Sequence, residues 1–155
     1  MRKVSSVALV LACAVGLSTT ALPQSATERL EVHAVAEAGY PGAIEGPSRT
    51  PGRTFYLQPD VLLSSRDIKS ATAQSSVAGV AGYANVLIIF TDEGARKFAS
   101  ITEKLRRRQI AIVIDGVVVS TPMIMEKISG GEAVIYAGFS LEEAKREAQE
   151  IVPTQ

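Results

Sequence analysis

The hydrophobic residues of this chain fall into short runs that predict β-strands, separated by stretches with turn residues or helical periodicity. The predicted strands are Leu30–Ala36, Phe55–Leu63 with a break at Pro59, Asn85–Phe90, Ile110–Ile114, Val117–Thr121 and Ala133–Ala137. The runs starting at Asn85 and Ile110 are apolar on both faces. We therefore expect other parts of the protein to cover both faces of these strands.

Three helices are predicted between the strands. Their capping residues are Ser64 or Ser65, Thr91 and Ser140. The first helix is short and runs through about Ala73. The second carries one apolar stripe and ends in three arginines, where the helix dipole favours cations. The third begins with a capping box, because Glu143 follows three residues after its cap, and it stops before Pro153.

An Asp-Gly dipeptide between two apolar strands predicts a tight β-hairpin. Asp115 and Gly116 are expected to adopt positive φ, which a two-residue turn of this kind requires. The resulting register pairs Ile114 with Val117 and Ile112 with Val119. Val113 and Val118 then point to the opposite face. Gly130 and Gly131 predict a second turn region.

This order of elements predicts an α+β fold, with a mostly antiparallel sheet and about three helices packed on it. The helices can cover one face of the sheet. The other face presents Leu87, Ile89, Val113 and Val118, which are our candidates for a partner-binding surface. The first strand and the loop of residues 38–54 could cover that face instead.

The N-terminus predicts a secretory signal peptide over residues 1–26. Two cations precede an apolar stretch, and small residues allow cleavage after Ala21 or Ala26. An uncleaved anchor is the alternative. Lipidation of Cys13 is another, although Leu11 is bulky for a lipoprotein processing site. After this segment, we expect an N-terminal strand and a Gly/Pro-rich linker at 27–54, followed by one domain at 55–153. The localisation implied is exported and periplasmic, with attachment to the membrane only through an uncleaved or lipidated N-terminus.

The composition excludes several classes of function. The formal net charge of the 155 residues is zero, which gives no indication of nucleic acid as a partner. Hydrophobic residues make up 46% of the chain, enough for a core. Cys13 is the single cysteine, so removal of the signal peptide leaves no disulfide and no thiolate ligand. We expect no metal and no cofactor.

Candidate catalytic residues are few. His33 is the only histidine, has no second His or Cys near it in the sequence, and is expected at a surface or sheet edge. The acidic residues of the last helix alternate with cations, which is typical of a solvated face. Asp115 is explained by its turn, and Arg106, Arg107 and Arg108 by a helix end. We therefore predict no enzyme activity. A small hydrolase that uses His33 is the enzymatic alternative.

Three segments in order resemble a known family. "NVLIIFTDEGARKFASIT", "IAIVIDGVVVSTPMI" and "ISGGEAVIYAGFSLEEAKREAQEI" are similar in order and spacing to the head subdomain of the first periplasmic domain of SecD, in the SecDF protein-export family. "LEVHAV" and "FYLQPDVLLSSRDIKSA" upstream also resemble segments of that domain.

The resemblance implies an α+β head that contacts unfolded proteins emerging outside the inner membrane. It also implies coupling to proton flow through a transmembrane region, and we expect no transmembrane bundle in these 155 residues. We therefore expect a non-enzymatic exported domain that binds unfolded or exported polypeptide, or an envelope protein. A structural accessory that docks on a Sec component or another envelope protein is the alternative.

Overall fold

The computed structural model describes residues 28–75 and 83–152. The predicted signal peptide, its cleavage sites and Cys13 lie outside these residues. The described part contains nine strands and two α-helices. In chain order they are β1 (Leu30–Ala34), β2 (Ile44–Pro47), β3 (Thr54–Leu57), β4 (Leu63–Ser64), β5 (Ile68–Ser75), β6 (Ala84–Phe90), α1 (Asp92–Lys104), β7 (Ile110–Ile114), β8 (Val117–Ser120), β9 (Glu132–Phe139) and α2 (Leu141–Glu150).

The strands form two larger sheets and one hairpin. The first sheet has the order β4-β1-β7-β8, the second has the order β5-β6-β9, and β2 pairs with β3. Every pairing of these strands is antiparallel. The α+β class and the mostly antiparallel sheet are thus confirmed.

The main core lies between the two sheets and the two helices. Side chains from both sheets and from α2 meet there, and its largest fully buried members include Leu30, Leu63, Ile135, Phe139 and Ile151. On β5 and β6, Ala71 lies opposite Ile88 and Ala73 opposite Val86; Ile88 and Val86 are buried in this core, and the two alanines are partly buried and pack against it. The inner face of the second sheet is therefore apolar, with small residues on β5 beside larger ones on β6.

The predicted helix from Ser64 or Ser65 to Ala73 is wrong. The described residues therefore contain two α-helices instead of the predicted number of about three. Ser64 does act as a cap, and it forms a capping box with Asp67 in which each side chain bonds the other residue's backbone, but this box closes only a 3-10 turn at Ser65–Asp67. Strand β5 follows at once. Its alternating alanines fit a strand that pairs with β6 and packs under α2, so long-range pairing overrides the local start signal.

The predicted caps of the other two helices are present. Thr91 accepts the Gly94 N–H at 3.0 Å at the start of α1. Ser140 and Glu143 form the predicted capping box of α2: Glu143 accepts the Ser140 N–H at 2.8 Å and donates its own N–H to the Ser140 hydroxyl at 3.2 Å. These caps satisfy backbone donors that have no partner within the helix.

The Gly/Pro-rich segment predicted as a linker folds into the β2–β3 hairpin. This hairpin covers the face of the first sheet that carries Val113 and Val118, which are only 5% and 2% exposed and pack with Leu57. A Cβ atom added at Gly46 would lie 2.7 Å from a methyl of Val118, so glycine is what allows this close approach. Val113 and Val118 are thus core residues in this structure, not part of a partner-binding surface.

The β7–β8 hairpin turns at Asp115 and Gly116. Their φ angles are 49° and 78°, the positive values that the turn requires. Ile114 pairs with Val117, but Ile112 lies opposite Ser120, not Val119, because the register shifts between Ile112 and Val113. Gly130 and Gly131 lie in the bend before β9, where Gly131 has φ 74°.

Candidate functional site

An open apolar cleft of about 350 Å³ lies between the two sheets. Its base is formed by core residues such as Leu30, Ile110 and Ile135, and by Phe90 and Phe98, whose ring centroids are 4.8 Å apart. Glu126 is the one charged residue among the described residues that line it. The cleft therefore suits an apolar ligand.

One wall of the cleft is the irregular segment of residues 121–131, which we call the methionine segment. It begins as a short ladder: Ile124 accepts the Arg107 N–H at 2.6 Å and donates its own N–H to the Arg108 carbonyl at 2.9 Å. Further on, Ile128 donates its N–H to the hydroxyl of Thr102 at 2.9 Å. These bonds hold the wall against α1 and the turn that follows it.

The mouth of the cleft exposes large apolar side chains. Met123 and Met125 are 55% and 68% exposed on either side of the buried Ile124, and Tyr136 on the opposite wall is 68% exposed. Methionine is flexible and polarizable, and it adapts to partners of different shape. Our sequence-based site did not include these residues. The sequence feature that could have indicated this surface is a pair of methionines two residues apart, directly after Pro122.

Leu87 and Ile89 lie on the outer face of the second sheet. Leu87 is opposite Thr72 on β5 and opposite Val134 on β9, and Ile89 is opposite Ser70 and Glu132. Both are partly exposed and belong to neither core cluster. The outer face is continuous with the cleft mouth at β9, since Val134 and Tyr136 also line the cleft. Of the four predicted partner residues, the structure brings these two together at a surface.

The polar residues considered for chemistry do not assemble into a catalytic group. His33 is 2% exposed, not at a surface as expected, because β1 lies inside the first sheet between β4 and β7. Its Nδ1 donates to the Gln58 carbonyl at 2.9 Å, and its Nε2 lies 3.3 Å from the Glu31 carboxylate. In the described residues, no group of three His, Cys, Asp or Glu side chains could hold a metal ion.

Ion pairs join α2 to the segment before β1, which contains Arg29, and to the loop between β2 and β3, which contains Arg49. Arg29 bonds both Asp115 and Glu150, and Arg49 bonds Glu143 at 2.9 Å while its guanidinium lies 4.8 Å from the ring centroid of Phe139. The Ser140 backbone N–H lowers the pKa of Glu143, with smaller contributions from the Ser140 hydroxyl and Arg49. Asp115 is thus one member of a set of ion pairs.

Comparison with known proteins decides the family. The family model for the SecDF P1 head subdomain matches residues 43–151, which include both walls of the cleft and all strands except β1.

The chain belongs to the SecDF P1 head family. The resemblance inferred from the sequence segments is therefore confirmed. The match begins at residue 43, so it includes the β2–β3 hairpin, most of which lies in the segment that we predicted as linker.

Curated relatives and solved structures agree with the SecDF assignment. The protein translocase subunit SecD of Syntrophobacter fumaroxidans is 31% identical over 135 residues, which are 77% of this chain and 25% of that protein. The SecDF subunit of Thermus thermophilus is 41% identical over 83 residues, covering 54% of this chain and 11% of that protein. The chain thus spans a quarter or less of these relatives.

Two SecDF structures superpose on the fold at 30% sequence identity. A structure of "a membrane component SecDF that enhances protein export" gives a TM-score of 0.64 and covers 80% of this chain and 62% of that chain. SecDF in a super-membrane-facing form gives 0.63, with 80% and 19% covered. Over the described residues of this chain, no helix has the length and apolarity needed to span a membrane.

Proposed function

We propose that this SecDF-head domain binds unfolded polypeptide during protein export, without catalysis, and that the cleft is the binding site. The observation that carries the proposal is the cleft itself: an apolar groove of about 350 Å³ with Met123, Met125 and Tyr136 exposed at its mouth. Unfolded chains expose the apolar side chains that such a groove would remove from water. The relatives' description as protein translocase subunits supports this class of partner.

A charge placed at the cleft mouth tests the proposal. We expect Met123→Glu to weaken binding of a reduced, carboxymethylated model protein, measured by fluorescence anisotropy. Tyr56→Glu is the matched control, because Tyr56 has the same exposure of 55% but lies outside the cleft lining. Equal binding by both variants and by the unmodified protein would contradict the proposal, provided that their thermal unfolding midpoints agree.

Docking on a folded Sec or envelope component is the second candidate, and the outer face of the second sheet favours it. Leu87 and Ile89 offer a partly exposed apolar surface away from the core. Photo-crosslinkers at Leu87 and Met125 distinguish the two functions in cells. Unfolded clients captured from Met125 support polypeptide binding, whereas one stoichiometric partner captured from Leu87 supports docking.

Export of the domain to the periplasm is part of the same proposal. The N-terminal cations and the apolar stretch after them support a cleaved signal peptide. Mass spectrometry of the secreted product is expected to show an N-terminus after Ala21 or Ala26. An intact N-terminus, or a lipid on Cys13, would show that the chain stays anchored.

A further inference from the structure

Strand β9 is the outermost strand of the second sheet, and it borders the cleft. It pairs with β6 on one side, and no other described strand pairs with it on the other. An outermost strand has a row of backbone donors and acceptors that an added strand can satisfy. The cleft therefore has a main-chain binding edge as well as apolar walls.

The hydrogen-bond pattern identifies which groups face this edge. Phe90 donates its N–H to the Gly131 carbonyl at 2.9 Å, which makes these two residues a hydrogen-bonded pair. In an antiparallel ladder, bonded and non-bonded pairs alternate. Ala133 therefore bonds to β6, whereas the N–H and C=O groups of Glu132 and Val134 point away from β6 to the free edge.

Side chains on both faces of β9 are apolar near this edge. Ala133 and Ile135 point to the core side and line the cleft, while Val134 and Tyr136 lie on the outer face with Leu87. Because side chains alternate along a strand, a strand added to β9 would place alternate residues in the cleft and on the outer face. Apolar residues on both sides of that strand would be removed from water.

Charge also selects the occupant. Glu126 lines the cleft and Glu132 begins β9, both are exposed, and neither forms an ion pair within the described part of the chain. An occupant with a nearby Lys or Arg would complement these two carboxylates, whereas an acidic one would be repelled.

We propose that the bound polypeptide adds to β9 as an extra strand, pairing along Glu132–Tyr136, with apolar residues in its centre and a basic residue beside Glu126 or Glu132. This inference rests on the proposed polypeptide-binding function and specifies its recognition mode. Main-chain hydrogen bonds are common to all sequences, so this mode accepts many different clients.

Proline at Val134 tests the strand addition directly. Val134→Pro removes an N–H that faces the free edge and leaves the bonds to β6, a position where proline is tolerated. Val134→Ala is the matched control, because it shortens the side chain and keeps the N–H. The probe is a short fluorescein-labelled peptide with a central run of valine and leucine and lysines at both ends. We expect Val134→Pro to weaken its binding about tenfold or more and Val134→Ala to change it about threefold or less.

A second arm tests the same idea with the unmodified domain, so it does not depend on folding of the proline variant. Two versions of the peptide carry N-methyl groups at the odd or the even backbone positions. Strand addition predicts that one version loses binding and the other keeps it, because only alternate N–H groups face β9. Equal binding of both versions, or unchanged binding by a folded Val134→Pro variant, would overturn strand addition.

These outcomes separate the recognition mode from the function. If Met123→Glu weakens binding while both methylated peptides bind equally, the cleft binds polypeptide without strand addition. If the unmodified domain binds neither the peptide nor an unfolded protein, the proposed function itself is wrong. A peptide flanked by glutamates is expected to bind more weakly than the lysine version at low salt, and equal affinity would remove the basic residue from the proposal.

Discussion

Asp115, at the tip of the β7–β8 hairpin, is joined to Arg29 by two bonds. Its carboxylate accepts from the Arg29 guanidinium at 2.7 Å, and its backbone N–H donates to the Arg29 carbonyl at 2.8 Å. The sequence identified Asp115 as a turn residue and did not indicate this partner. The contact ties the hairpin to the segment that leads into β1.

The two residues of this turn are expected to respond very differently to substitution. Asp115→Asn keeps a residue that tolerates positive φ and loses one exposed ion pair, so the free energy of unfolding should fall by less than about 1 kcal/mol. Gly116→Val should cost about 1–3 kcal/mol, because a β-branched residue resists the φ of 78°. Apart from its chain neighbours, no residue has an atom within 4 Å of an added Cβ at Gly116, so this cost comes from the local backbone conformation and not from tertiary packing.

Urea denaturation at neutral pH measures both variants. A loss of several kcal/mol in Asp115→Asn would show that the Arg29 contact carries much more of the stability than its exposure indicates. A neutral Gly116→Val would show that the turn can adopt another geometry.

Gly94 should be the exception to the rule that alanine stabilises a helix. A Cβ at this position would lie 2.3 Å from the Asp67 carbonyl oxygen, because α1 packs closely on the 3-10 turn. Gly94→Ala is therefore expected to lower the free energy of unfolding by about 1–3 kcal/mol, as overpacking does, instead of the gain of up to about 1 kcal/mol that helix propensity predicts.

Gly130→Ala is the control for Gly94→Ala, since open space surrounds Gly130 and its φ is not positive. It should leave the thermal midpoint nearly unchanged. If Gly94→Ala were as stable as the unmodified protein, α1 would have to shift away from Asp67 at little cost.

The fold was predictable where the local pattern and the long-range pairing agree. The strands β6 and β7, the Asp-Gly turn and the caps Thr91 and Ser140 are present where the sequence placed them. The helix predicted after Ser64 is wrong because a capping box determines the conformation of only one turn. Whether a helix or a strand follows this turn depends on pairing with β6, and no local sequence pattern indicates that pairing.

The candidate site was predictable only in part. The strands containing Leu87 and Val113 are both apolar on two faces, and this pattern cannot tell which face another segment will cover. The β2–β3 hairpin covers Val113, although most of it lies in the Gly/Pro-rich segment that we predicted as linker, and its close packing depends on Gly46. Met123 and Met125 lie in an irregular segment, so their common position at the cleft mouth follows from the ladder at Ile124 and not from any period.

The lowered pKa of Glu143 predicts a loss of stability in acid. A carboxyl group with a lower pKa in the folded state stabilises the fold above its unfolded pKa, and this contribution is lost as the pH falls through the folded pKa. Glu143→Gln should therefore flatten the decline in stability below about pH 4.5, the ordinary value for this group. Chemical denaturation from pH 3 to pH 7 measures the decline.

The source of that shift can be separated with one more variant. The Ser140 backbone N–H is the largest cause and Arg49 a smaller one. NMR titration of Arg49→Ala should therefore still give a pKa of Glu143 below its ordinary value. A return to the ordinary value would show that the ion pair, and not the helix cap, determines the acidity of Glu143.

Thr102 is expected to control the mobility of the methionine segment. Its side chain is fully buried, donates its O–H to the Phe98 carbonyl at 2.9 Å and accepts the Ile128 N–H at 2.9 Å. Thr102→Val keeps the shape and removes the acceptor, which leaves the Ile128 N–H without this partner. The expected cost is about 1–3 kcal/mol in the free energy of unfolding, with faster hydrogen exchange at the Ile128 amide.

Thr102→Ser is the matched control because it keeps the hydroxyl and loses one methyl group. It should restore slow exchange at the Ile128 amide even though it creates a small cavity. If the wall must stay in place for binding, Thr102→Val should also weaken binding of the unfolded model protein at temperatures where the domain remains folded. Slow exchange at Ile128 in Thr102→Val would show that the ladder at Ile124 alone holds the wall, and weaker binding would then need another cause.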